Sequence, residues 1–251
     1  MLIASSPRTG RPQGGFTLVE LMVGLAVGLI VIAAVISVYL FAVRGSAYYL
    51  ESARLNQELR GAAGLMVSDI RRAGYWSDAD TAGPLGADNP FTANDADLAI
   101  DGSCITYAYD RSGSGTTTAE NRFGFRLQDQ AVQAWVPNTT TSPVCDNDDG
   151  WRTLTDIDSI EITELTFTTE GSLCRNASRQ VDTSWVAGAG ATTLPCDDLL
   201  QLSTNAVTGE DLVEGRRVSI LVAGRVADEP TVSAIHRDSV RVRHLRLTTA
   251  P

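Results

Sequence analysis

The sequence has no C-x-x-C pair, so its four cysteines do not form a zinc ribbon or a thioredoxin-like site. It has no block of basic residues, and its formal net charge is -10, which speaks against a nucleic-acid binder. It has two histidines, His236 and His244, at a spacing that matches no metal motif. It has no G-x-S-x-G elbow, phosphate loop, dinucleotide motif or internal repeat. No catalytic residue, metal ligand or cofactor is therefore expected. An acidic turn, Asp146, Asp148 and Asp149 before Gly150, misses the calcium-loop register and reads as a solvated turn. There is also no proline from Phe16 to Ala73, so nothing in that stretch forces a helix to break.

What is present begins with an apolar run. Phe16 to Val43 contains one charged residue, Glu20, and Leu21 to Val43 contains none over 23 residues. As a helix those residues span roughly 34 Å, enough to cross a hydrocarbon core of about 30 Å. Arg8 and Arg11 precede the run, which places the N-terminus in the cytoplasm and the bulk of the chain outside. The run is longer than the apolar part of a secretory signal, and no A-x-A site follows it. Hydropathy alone favours a plain signal anchor. It does not explain Glu20, since a lone carboxylate in lipid costs several kcal/mol.

Cys104, Cys145, Cys174 and Cys196 all follow the apolar run, and an even count in an oxidising compartment reads as two disulfides. Four cysteines allow three pairings. The sequential one, Cys104–Cys145 with Cys174–Cys196, closes its loops with the least crossing and is expected.

The helical pattern continues past Val43. Leu55, Leu59, Ala62, Met66 and Ile70 share one face, Arg71 and Arg72 suit the last turn, and Gly74 is a suitable cap. One helix from Phe16 to Ala73 is expected, then a loop over Ser77–Asp97. Strand patterns follow at Cys104–Asp110, Arg122–Leu127, Ala131–Val136, Ser159–Thr168, Arg217–Val226 and Val240–Thr248. Ser112–Thr118 reads as a hairpin tip. In Ser159–Thr168 the alternation slips at Thr163/Glu164, which predicts a bulge. Gly171–Asn205 reads as irregular and pinned by Cys174–Cys196.

The stretch "GGFTLVELMVGLAVGLIV" resembles the class III signal of type IV pilins and type II secretion pseudopilins. The resemblance implies cleavage by a prepilin peptidase after Gly15, removal of residues 1–15 as a leader, and N-methylation of Phe16. It implies that Glu20 neutralises the terminal amine of a neighbouring subunit during assembly. Gly24 and Gly28, at G-x-x-x-G spacing, are suited to close helix packing in the filament core. A further segment, "LMVSDIRRAGYW", resembles the helix end of PilW-type minor pilins. There Asp69, Arg71 and Arg72 read as helix-end charges, and Tyr75 and Trp76 as the lock between helix and sheet.

The fold implied is α+β and type IV pilin-like: a long N-terminal helix packed on an antiparallel sheet with disulfide-pinned loops. Residues 16–43 would be the transmembrane and filament-core half of the helix, 44–76 its amphipathic half, and 77–251 a periplasmic globular domain. The implied role is initiation and assembly of a pilus, in a priming or tip complex. The implied partners are other minor pilins, the major pilin, the inner-membrane assembly platform, the prepilin peptidase and a tip adhesin. A minor pseudopilin of type II secretion, related to pseudopilin J, is the alternative; a membrane-anchored periplasmic enzyme is a second.

Overall fold

Helix α1 runs from Leu18 to Ile70 without a break in the computed structural model. The structure describes residues 15–80, 83, 88–93, 97–176, 209 and 211–249. The chain divides into two units, Met1–Leu50 and Glu51–Pro251. In the first, large apolar side chains such as Leu21, Ile30, Val38 and Phe41 are exposed in every direction around the helix. Its apolar stretch has a mean hydropathy of 2.9, long and apolar enough to cross a membrane. The hydroxyl of Ser37 donates to the carbonyl of Ala33 at 2.8 Å, which hides a polar group that apolar surroundings would penalise.

In the second unit α1 becomes amphipathic. Leu55, Leu59, Ala62, Met66 and Ile70 are all buried, so the predicted face is the face that packs. It meets apolar residues of two antiparallel sheets in one core, among them Tyr107, Phe125, Ile162, Phe167, Ile220 and Val222. Gly224 lets helix and sheet approach: a Cβ there would lie 3.0 Å from the Glu161 carbonyl oxygen and 3.3 Å from the Leu59 side chain.

The first sheet is a meander of five antiparallel strands in chain order: β1 (Leu98–Asp101), β2 (Cys104–Ala108), β3 (Arg122–Gln128), β4 (Ala131–Trp135) and β5 (Trp151–Thr153). The second contains β6 (Ile160–Thr168), β9 (Arg217–Val226) and β10 (Ser233–Arg241) in the order β10-β9-β6. The third contains β7 (Leu173–Asn176), β8 (Asp211–Gly215) and β11 (Arg246–Thr249) in the order β11-β8-β7. The expected bulge is present: the β6–β9 register shifts between Ile162 and Glu164. The expected hairpin tip lies in the connection from β2 to β3.

Three expectations need correction. The helix stops at Ile70 and passes through a turn to Gly74, whose φ of 76° is the left-handed conformation a glycine adopts at little cost. The expected strand Val240–Thr248 is two pieces in different sheets. The chain breaks at Val242, which is buried and donates to the Arg216 carbonyl at 3.0 Å. Gly171–Asn205 is not irregular throughout, because Leu173–Asn176 pairs with β8. Of the two expected disulfides, Cys104–Cys145 is present; the Cys174–Cys196 pairing lies outside the described residues.

Candidate functional site

The N-terminal end of α1 starts with Gly15, Phe16 and Thr17 in extended or irregular backbone. Thr17 is the N-cap. The Glu20 backbone N–H donates to its Oγ1 at 3.2 Å, and the Thr17 N–H and hydroxyl donate back to Glu20 Oε2 at 3.4 and 3.3 Å. This is a capping box. The signal for it, threonine followed three residues later by glutamate ahead of an apolar run, stands in the sequence but is masked by the signal-cleavage pattern that shares the same residues. Glu20 therefore has a local task in the single chain. Its carboxylate sits in the first turn, where a negative charge also suits the helix dipole. Nothing lies within 4 Å of a Cβ built on Gly15, Gly24 or Gly28. A side chain at any of the three would meet open space among the described residues, and the helix surface is smooth at Gly24 and Gly28.

At the other end of α1 the expected assignment changes. Asp69 is more than a helix-end surface charge: it accepts hydrogen bonds from the hydroxyls of Tyr107 and, at 3.1 Å, Tyr109. Arg72 stands 3.8 Å from the same carboxylate and 6.0 Å above the Tyr109 ring. Burial first, and the Asp69 charge second, push the Tyr107 hydroxyl well above its ordinary range and that of Tyr109 up to about 12. Backbone bonds complete the joint: Gly74 N–H to Ala108 at 2.8 Å, and Asp110 N–H to Tyr75 at 2.8 Å. So the lock between helix and first sheet is Asp69 with β2, joined by the Tyr75 backbone. The Tyr75 ring itself is exposed and lies edge-on to His244, at 5.7 Å between centroids. No sequence signal pairs Asp69 with tyrosines 38 and 40 residues downstream.

The Cys104–Cys145 disulfide ties the start of β2 to the loop between β4 and β5. Trp135 and Trp151 pack against it. Arg126, almost wholly buried, donates to the Cys145 and Asn147 carbonyls at 2.7 and 2.9 Å, to Gln133 at 2.9 Å and to Asp148 at 3.0 Å. Its guanidinium stacks 4.6 Å over the Trp151 ring. Asp148 is thus an arginine partner in a stapled turn. Among the described residues no group of three His, Cys, Asp or Glu side chains stands close enough to hold a metal ion.

His236 lies in β10 beside Ile235 on an edge strand. His244 lies in the break between β10 and β11, where burial first and the charges of Arg243 and Arg216 second depress its pKa.

What the molecule offers is an exposed apolar helix with a capped acidic first turn and, in the second unit, a sheet domain. Comparison with known proteins agrees. Residues 10–36 match the prokaryotic N-terminal methylation motif. A type IV-like pilin, TTHA1219 from Thermus thermophilus, is similar at 9% identity and a TM-score of 0.36, over 79% of this chain and 99% of that one, too distant to add to the argument. No curated protein matches the chain. Residues 48–242 match the family described as prepilin peptidase-dependent protein B, and with the methylation motif at the head of α1 this type IV pilin-like chain belongs to that family.

Proposed function

We propose that this chain is a minor pilin of the PilW type, an assembly protein rather than an enzyme. It is held in the inner membrane by the first half of α1, with its sheet domain in the periplasm, and joins other minor pilins in a complex that starts a type IV pilus. The observation that carries this reading is the head of α1: an exposed apolar helix whose first turn holds one carboxylate, five residues after Gly15.

In this reading the prepilin peptidase cuts after Gly15 and Phe16 becomes a methylated, positively charged terminus. Glu20 keeps its capping bonds through Oε2 and offers Oε1 to the amine of a neighbouring subunit. Gly24 and Gly28 then let neighbouring helices pack closely.

Two substitutions test the reading. Gly15→Val places a branched side chain at the scissile bond, and intact mass should show the leader retained; normal cleavage would overturn the peptidase assignment. Glu20→Gln keeps a capping-box acceptor but removes the charge. It should leave the helix and membrane insertion unchanged while lowering incorporation into filaments by about tenfold, the loss of one charge pair. Incorporation equal to that of the unaltered chain would reduce Glu20 to a cap. Co-isolation with type II secretion proteins in place of pilus subunits would move the chain to a pseudopilus.

A further inference from the structure

Some arginines of the sheet domain meet carboxylates: Arg225 with Glu161 at 2.6 Å, Arg126 with Asp148 at 3.0 Å, Arg246 with Glu214 at 3.6 Å and Arg122 with Asp97 at 3.8 Å. In a chain with 30 acidic and 20 basic residues such pairing is easily met. Others, among them Arg152, Arg217, Arg237 and Arg241, are exposed on the strands without an ion pair among the described residues. The C-terminal end of α1 gathers several such arginines in one place. Arg71, Arg111 and Arg243 are exposed there, and among the described residues no carboxylate pairs with any of them.

These side chains line two adjoining grooves. One, of about 340 Å³, lies along α1 beside Arg71, Arg72 and Arg243. The other, of about 360 Å³, lies beside Arg72, Tyr75, Arg111, Arg243 and His244. Arg72 and Arg243 border both, so the two grooves share an arginine-lined edge, the track. The backbone fixes their neighbourhood, since the Arg243 N–H donates to the Arg71 carbonyl at 3.3 Å.

The carboxylates nearest the track are already engaged. Asp69 takes the two tyrosine hydroxyls and Arg72. Asp110 also borders the second groove, but it accepts from the Ser77 hydroxyl and from the N–H groups of Ser77, Ser114 and Gly115. The positive field at the track is felt by His244, whose pKa is depressed by burial and then by Arg243 and Arg216.

We propose that this track is a docking site for an acidic segment of a partner protein, with Arg111 and Arg243 gripping its carboxylates and the exposed Tyr75 ring covering its apolar stems. Guanidinium forks match carboxylate geometry with two parallel bonds. A nucleic-acid strand is a polyanion as well, and binding of a thymidylate hexamer tells it apart from an acidic peptide. The proposal does not depend on which filament the chain joins.

The test uses the full chain in dodecyl maltoside micelles and a fluorescent hexaglutamate peptide at low salt. The unaltered chain should bind it, and Arg111→Gln and Arg243→Gln should each weaken binding by about tenfold or more, the worth of one charge-assisted hydrogen bond. Arg237→Gln, an exposed arginine of β10 outside the track, should leave binding unchanged. No binding by the unaltered chain overturns the proposal. So does an equal loss in Arg237→Gln, which would mean diffuse charge attraction. Inorganic phosphate or a thymidylate hexamer binding as tightly as the peptide overturns it as well. Both target side chains are exposed, and unchanged melting of each variant separates lost binding from lost folding.

Discussion

Replacing Cys104 and Cys145 together by alanine should lower the stability of the sheet domain by about 4 kcal/mol. The bond closes a loop with a sequence separation of 41, and the loop-entropy relation gives that figure for a chain freed in the unfolded state. For a domain of this size the shift in Tm is about 8–16 °C. The folded state feels the change less than the unfolded one, because Arg126 holds the same loop through the Cys145 and Asn147 carbonyls and Asp148. The double variant should therefore keep its native fold at 25 °C while melting much earlier. Calorimetry on the full chain in detergent decides it: a Tm within about 3 °C of the unaltered chain would show that Arg126 and the two tryptophans suffice without the bond.

That division of labour around one loop also shows why some of the molecule was legible in the sequence and some was not. The disulfide followed from counting cysteines and choosing the least crossed pairing. Arg126 offered no such cue: a single arginine in a strand pattern reads as solvent-facing, and two of its four acceptors are backbone carbonyls, which every residue possesses. The same contrast holds at the two ends of α1. The head is written locally, in residues 15 to 20 and an unbroken apolar run, and so is the face of Leu55, Leu59, Met66 and Ile70, because helical periodicity repeats within a few turns.

Strands were legible where they are long and buried on one side. Arg217–Val226 alternates because β9 is central, with β10 and β6 on its flanks. The bulge in β6 was visible as a parity slip for the same reason. Strand β10 carries one buried residue, Val240, in nine, since it lies at the edge of its sheet; its polar sequence hides it. Strands β1, β5, β7 and β8 are three to five residues long, too short for two full periods to stand out from loop composition.

The Asp69 lock is the opposite case to the head of α1, for its partners come from a strand about forty residues away, and its removal should be the most damaging change at the helix end. Asp69→Ala leaves the hydroxyls of Tyr107, fully buried, and Tyr109, nearly so, without their acceptor. At about 1–3 kcal/mol for each of the two stranded groups, the expected loss is about 2–6 kcal/mol. Asp69→Asn keeps an acceptor and should cost about 1 kcal/mol. The two tyrosines also predict an alkaline signature. Unfolded tyrosines lose their protons near pH 10, while Tyr109 holds its proton to about 12 and Tyr107 beyond its ordinary range, through burial and the nearby Asp69 charge. The folded state binds these protons more tightly. Their contribution is therefore fully present below pH 10, and that of Tyr109 is lost as pH rises from 10 to 12, on the order of 1–2 kcal/mol. Asp69→Asn removes one of the two causes and brings the folded values closer to the unfolded ones, so its stability should fall less steeply across that window. Denaturant melts between pH 8 and 12 on both proteins read the difference directly. Equal slopes would mean that burial alone holds the tyrosine protons, and that the carboxylate at the end of α1 fixes the helix to β2 by hydrogen bonding without setting its resistance to alkali.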